Sequence, residues 1–298
     1  MNPEPIRNAM TIDVEDYFHV SVFDRTVART NWPSMESRVV VNTERLLDLF
    51  DEYAVRGTFF VLGWVAEHYP ALVRSIASRG HELASHGFAH RLVYEQTPDA
   101  FRDDVRRSKA LIENLSGQAV RGYRAPSFSV TERSLWALDV LLEEGYRYDA
   151  SIFPIRHDRY GIPLSPRHPF VMKRNGRVLV EAPASTVCVG PLNLPIGGGG
   201  YFRILPYAWT SWGVSRVNNV EGRPVIFYLH PWEIDPEQPT LRTSVLGTFR
   251  HYRNLALTES RLRRLLQEFE FGPMLNIVGA LDPIGADVKE LRGLPYVW

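Results

Sequence analysis

The hexapeptide Ser85-His86-Gly87-Phe88-Ala89-His90 sets two histidines four residues apart, directly after a short apolar run. Such a pair can be structural, each ring nitrogen satisfied by a neighbour. It can belong to a zinc protease, but that motif needs a glutamate directly after the first histidine to act as base, and here Gly87 stands there. His81 is followed by Glu82, yet the next histidine comes one residue too late. The third possibility is a metal site completed by a carboxylate from elsewhere. Zinc accepts imidazole nitrogen and carboxylate oxygen, and a catalytic zinc keeps three protein ligands and one open position. Other residues able to bind metal or move protons also follow apolar runs: Asp13, Glu15 and Asp16, then Arg124, Asp149 and His230.

The elements that must position these residues alternate between two periodicities. Strands are predicted at 9–13, 57–63, 81–86, 120–126, 146–149, 177–183 and 224–231. Amphipathic helices fall between them. Residues 39–54 carry Leu46, Leu47, Phe50 and Tyr53 at helical spacing, and 70–79 form a helix that stops at Gly80. Thr97 caps a helix with Pro98 at its first position and Gly117 at its end; Thr131 opens another that ends at Gly145. A β-then-α rhythm argues parallel strands with crossover helices. About seven strands make a distorted (β/α)7-type barrel. In such folds the strand C-terminal ends converge on one face, where chemistry sits. Five polar strand ends in succession are hard to explain by core packing.

The chain has 298 residues, 45% of them hydrophobic, so one large domain is within reach. With 34 basic and 34 acidic side chains, the balance argues against nucleic-acid and membrane-surface binding. A single cysteine, Cys188, fits a reducing compartment. The N-terminal residues show no signal-peptide core, and no run reaches the ~18 apolar residues of a membrane span. A cytoplasmic enzyme is expected, and oligomeric state is not fixed by the sequence.

The motifs TIDVED, SHGFAH, RGYRAPSF, YDAS and FYLHP, in that order, resemble those of the polysaccharide deacetylases (carbohydrate esterase family 4, the NodB homology domain). The segment RTSVLGTFRHYRNLALTESRLRRLL further resembles the branch linked to exosortase-type exopolysaccharide clusters. The resemblance implies a divalent metal, zinc before cobalt or manganese, held by His86, His90 and an N-terminal carboxylate. It implies Asp13 as general base, Arg124 as the partner that keeps Asp13 ionised, and protonated His230 as the acid. Asp149 would orient His230 and raise its pKa. An oxyanion would be held by the metal and a backbone N–H near Phe128.

The sequence departs from the family pattern in three places. Asp13 is followed by Val14 instead of a second aspartate, so the ligand role passes to Glu15 or Asp16, with Glu15 preferred. Phe128 stands where tyrosine is frequent. Asp149 lies in YDAS instead of an aspartate–tryptophan motif. Phe128, Trp232 and Tyr201 are candidate walls of a sugar cleft. His19, His68, His157, His168 and His251 are expected to be ordinary core or surface residues. A single domain over 1–298 is expected, with a Gly-rich insertion near 184–205, a mobile loop, and a C-terminal helical extension over about 240–298. The function implied is deacetylation of N-acetylhexosamine units in a polysaccharide or its precursor. The alternative is hydrolysis of a small cyclic amide or ureide. A non-catalytic sugar binder ranks last, because Asp13 and His230 are both present.

Overall fold

The computed structural model describes residues 5–174, 177–279 and 281. Along the chain run β1 (Asn8–Val14), α1 (Val39–Glu52), β2 (Thr58–Val61), α2 (Gly63–His68), α3 (Pro70–Ser78), β3 (Glu82–Ser85), α4 (Pro98–Ser116), β4 (Gly122–Tyr123), α5 (Trp136–Glu143) and β5 (Tyr148–Asp149). Then come β6 (Phe170–Arg174), β7 (Arg177–Glu181), β8 (Thr186–Val189), β9 (Leu192–Pro195), α6 (Gly199–Ile204), α7 (Tyr207–Asn219), β10 (Ile226–Leu229), α8 (Val245–Tyr252), α9 (Leu255–Glu268), β11 (Phe271–Gly272) and α10 (Leu275–Val278).

Seven of these strands form a parallel path in the order β10-β1-β2-β3-β4-β5-β7. These are the seven predicted strands, several of them shorter than predicted. Strand β6 adds an antiparallel edge on β7, and β11 pairs with the start of β1. Alternation along β1 separates two layers, as a period of two requires. Met10, Ile12 and Val14 pack outward in the main core beneath the helices, while Ala9 joins an inner cluster with Phe60, Ala84, Tyr148, Ala150 and Val180. The capping signals hold. The Thr97 hydroxyl accepts from Ala100 N–H, and Gly117 takes the left-handed conformation that closes α4.

The Gly-rich segment is not a mobile loop. It closes the barrel where β7 and β10 fail to meet directly. Ser185 Oγ accepts from Ile226 N–H at 2.7 Å, and Gly197 C=O accepts from Tyr228 N–H at 2.7 Å. A Cβ on Gly198 would lie 1.9 Å from the Tyr228 carbonyl oxygen, at a φ of +116°. Glycine stands here because two backbones touch. Residues 186–195 between these contacts form the β8–β9 hairpin, a pattern too short and mixed to read in advance.

Candidate active site

Strand direction carries the first group inward. Asp13, two residues on from Thr11 and on the same face of β1, reaches the barrel interior near the C-terminal end and is 2% exposed. Arg124, fully buried just after β4, donates from Nη1 to Asp13 Oδ1 at 2.7 Å and to Thr11 Oγ1 at 2.8 Å. Its guanidinium lies 4.1 Å over the Phe60 ring, a cation–π contact that offsets part of its desolvation. The pairing of Asp13 with Arg124 is as expected from the sequence.

The histidine loop follows β3. Gly87 has φ +72°, and a Cβ there would come 2.8 Å from Asp104 Oδ2. That carboxylate, on α4, accepts from Phe88 N–H and Ala89 N–H. Arg29 donates to the carbonyls of Ala89 and His90. Neither Asp104 nor Arg29 was singled out from sequence, since both lie far from the loop in the chain. His86 Nδ1 sits 2.8 Å from the Arg124 carbonyl, so it donates there and leaves Nε2 as a lone pair. Burial pulls the His86 imidazole down to about 4, which keeps that lone pair free at neutral pH.

Glu15 meets these rings. Its Oε2 is 2.7 Å from His90 Nε2 and 3.8 Å from His86 Nε2. Burial alone would raise the Glu15 carboxyl, but His90 and then His230 and His86 outweigh it and hold it below the usual range. Oε2 has no partner beyond these two rings, and His90 Nδ1 is buried without one. Ligand atoms from Glu15, His86 and His90 all lie within 4.8 Å of one another. Two imidazoles and one carboxylate are the donor set that zinc and similar divalent ions accept, so the residues fit such an ion.

Asp16 does something else. Its Oδ2 accepts from Ser37 Oγ at 2.7 Å, Arg38 N–H at 2.9 Å and Val39 N–H at 3.1 Å, and its Oδ1 from Tyr17 N–H at 3.1 Å. Oδ2 is committed to holding the chain as it enters α1, and Oδ1 caps the turn Tyr17–His19. Asp16 does not reach the cluster of Glu15, His86 and His90, and its assignment as an alternative ligand is corrected.

His230 follows β10. Its Nε2 lies 3.8 Å from Asp13 Oδ2 and 3.7 Å from Glu15 Oε1. The expected partner on its other nitrogen was Asp149; the structure puts Glu233 there, Oε1 2.7 Å from Nδ1. Glu233 also accepts from His230 N–H, a reciprocal cap around a short turn. The spacing His-x-x-Glu in HPWE is the capping-box spacing, a signal that was legible. Arg203, from α6, donates to the second Glu233 oxygen and to the carbonyls of Arg250, His251 and Arg253. Burial works against the imidazolium, but Glu233, Glu15 and Asp13 push His230 up to about 9.

Asp149 lies inside the barrel beside Glu181, its register neighbour on β7. Burial pushes Asp149 up to about 6 and Glu181 well above the usual range. Asp149 Oδ2 and Glu181 Oε2 have no other partner, as suits two carboxyls sharing a proton. Asp149 accepts from Ser151 Oγ, which in turn accepts from Ala125 N–H. It therefore supports the loop after β4, not His230.

These groups open into a cleft of about 310 Å³ lined by Asp13, Glu15, His90, Ser127, His230 and Trp232 among others. Phe128 also lines it, its ring set among Phe153, Tyr160 and Tyr228. Ser127 and Phe128 both have φ of +52°, a strained pair for residues with a Cβ. Phe128 N–H is donated to the Ala125 carbonyl, so it is not free to meet a ligand. Tyr201 does not line the cleft; it stands behind Tyr160, their hydroxyls 3.3 Å apart. Conversely, His157 and His251 do line it. Trp232 is stacked between His230 and His251, centroids at 5.1 and 4.3 Å.

Residues 25–148 match the polysaccharide deacetylase family, and residues 150–279 match a domain of unknown function, DUF3473. The first match covers 124 of the 298 residues, so that stretch is similar to a polysaccharide deacetylase domain. The first match holds the histidine loop and Arg124, the second holds His230, and Asp13 and Glu15 precede both. The border between the matches falls within one sheet, since β5 before it pairs with β7 beyond it. A peptidoglycan-N-acetylglucosamine deacetylase of Bacillus cereus is 31% identical over 33% of this chain and 36% of its own length. A peptidoglycan deacetylase of Helicobacter pylori is 34% identical over 38% of this chain and 37% of its own. A chitooligosaccharide deacetylase of Bradyrhizobium is 32% identical over 33% and 43%. The alignments thus span less than half of these relatives. A Mycobacterium smegmatis structure described as a polysaccharide deacetylase shares the fold, with TM-score 0.62 and 20% identity over 93% of this chain and 92% of that one. The Puue allantoinase does so with TM-score 0.63 and 13% identity over 96% and 93%. Among the described residues, no helix is long and apolar enough to cross a membrane.

Proposed function

We propose that this cleft removes the acetyl group from N-acetylhexosamine units of a polysaccharide or its precursor, with a divalent metal, zinc first among them. The observation that carries the reading is the convergence of three functions at one mouth. Glu15, His86 and His90 form the metal-type cluster, Asp13 is the carboxylate held by Arg124, and His230 stands within 3.8 Å of both Asp13 and Glu15. An ion bound there would acidify water and polarise the amide carbonyl. Asp13 Oδ2 accepts the proton of the attacking water. His230 Nε2 donates a proton to the amine nitrogen as the carbon–nitrogen bond breaks, giving acetate and a free amine. Glu233 holds His230 in its protonated form. Because Phe128 N–H is already committed, Ser127 N–H is the donor this loop offers to a developing oxyanion. Trp232 and Phe128 wall the sugar.

The fold does not choose between sugar and cyclic amide, since the allantoinase is as similar in shape as the deacetylase. The sequence relatives named above as deacetylases favour the sugar. The continuity of the sheet supports treating both matched segments as one catalytic unit. The test is acetate release from acetylated chitooligosaccharides, with and without added zinc, against Asp13→Asn. No release from any acetylated hexosamine, with release of a carboxylate from a cyclic ureide, would transfer the site to the alternative.

A further inference from the structure

Helix α8 turns one face to the protein and the other to solvent. Gly247 and His251 are buried, and a Cβ on Gly247 would press on Thr243 and Val22. At 3.6 residues per turn, Val245, Leu246 and Phe249 fall on the opposite arc, exposed by 89%, 55% and 48%. Leu257, at the start of α9, is 48% exposed. Among the described residues, four of the twelve large apolar side chains open to solvent thus lie in one stretch of thirteen residues. Arg242, Arg250 and Arg253 are exposed along the same stretch, and residues 239–258 contain no acidic side chain. The Arg253 guanidinium lies over Phe249 at 5.9 Å. Ser244, Leu246, Gly247 and Arg250 also line the cleft, so this face forms part of its rim.

We propose that this face docks on an anionic lipid surface and seats the cleft mouth at the membrane interface. Apolar side chains interleaved with arginine are what an interfacial helix needs: the former enter the headgroup boundary and the latter meet anionic headgroups. A second copy of this chain is the poorer occupant. A two-fold contact would set the same arginines against each other in a patch drained of water. The zero net charge of the whole chain does not oppose docking, because it averages over acids that lie outside this stretch. The docking itself needs no catalytic assumption. Resting on the proposed function, it implies a saccharide presented at a membrane, such as one carried on a lipid.

The test is cosedimentation of the full chain with vesicles of phosphatidylcholine alone and of phosphatidylcholine and phosphatidylglycerol in equal parts. Binding is expected to the anionic vesicles and to fall with salt. Arg242→Gln with Arg253→Gln should weaken it about 30-fold, taking about 1 kcal/mol per arginine. Val245→Ser with Phe249→Ser should also weaken it, while Leu164→Ser, an exposed apolar residue elsewhere, should not. Neither Val245 nor Phe249 lines the cleft, so acetate release from a soluble saccharide should be unchanged in that pair. Absence of binding to anionic vesicles, or binding indifferent to both double variants, overturns the proposal. So does a lipid-free dimer that Val245→Ser with Phe249→Ser dissociates. Vesicle binding supports the docking whether or not acetate is released, so its failure and that of the functional reading are told apart.

Discussion

Glu233→Gln isolates the group that sets the protonation of His230. Glu233 Oε1 lies 2.7 Å from His230 Nδ1, and Arg203 holds its other oxygen. Burial lowers the imidazole, while Glu233 first, then Glu15 and Asp13, raise it to about 9. A hydrogen bond to a charged group contributes ~1.5–3 kcal/mol, and one pKa unit is 1.36 kcal/mol. Replacing the carboxylate with a neutral amide should therefore lower His230 by about one to two units. In the proposed reaction His230 is the acid, so the basic limb of the kcat/KM profile for acetate release should move from near 9 to about pH 7–8. The acidic limb should stay. Stability follows the same sign. A group raised in the folded state contributes fully below its ordinary pKa and loses that contribution as pH rises through the folded value. The added instability of Glu233→Gln should be largest below about pH 6.5 and fade towards pH 9. Asp149→Asn is the matched control and should leave the basic limb in place. A limb that ignores Glu233→Gln but shifts in Asp149→Asn would refute the assignment of His230's partner.

Asp13→Asn should retain metal, measured by elemental analysis, while losing ~10²–10⁴-fold in turnover, the range of a general base. Glu15→Ala should lose metal, and Asp16→Ala should keep it; the latter should instead cost about 2–4 kcal/mol in denaturant unfolding, because several backbone and hydroxyl donors lose their acceptor. Gly198→Ala should lower the melting temperature far more than Gly190→Ala. Both have positive φ, but only Gly198 would meet backbone within 2 Å, whereas Gly190 faces open space. Equal shifts in the two variants would show that the β7–β10 closure is not held by this contact.

The positions of the seven parallel strands, and Asp13, His86, His90, Arg124 and His230 as candidates at their ends, were legible in the sequence alone. Alternating apolar runs fix parallel strands, parallel strands bring their ends to one face, and local spacing places both histidines in one loop. Capping signals at Thr97, Gly117 and Gly145 are equally local. The tertiary structure decided everything that depends on two distant segments meeting. Glu15 and Asp16 are adjacent and chemically alike; only the fold shows one turned to His90 and the other consumed by the entry to α1. Asp149 ends a strand as His230 does, yet the barrel sets it against Glu181, and three residues after His230 a glutamate takes the partner's place. Four consecutive glycines read as freedom when counted along the chain. They prove to be the closure of the barrel, because whether a missing Cβ means slack or contact depends on what stands opposite, and that is Tyr228, thirty residues further on.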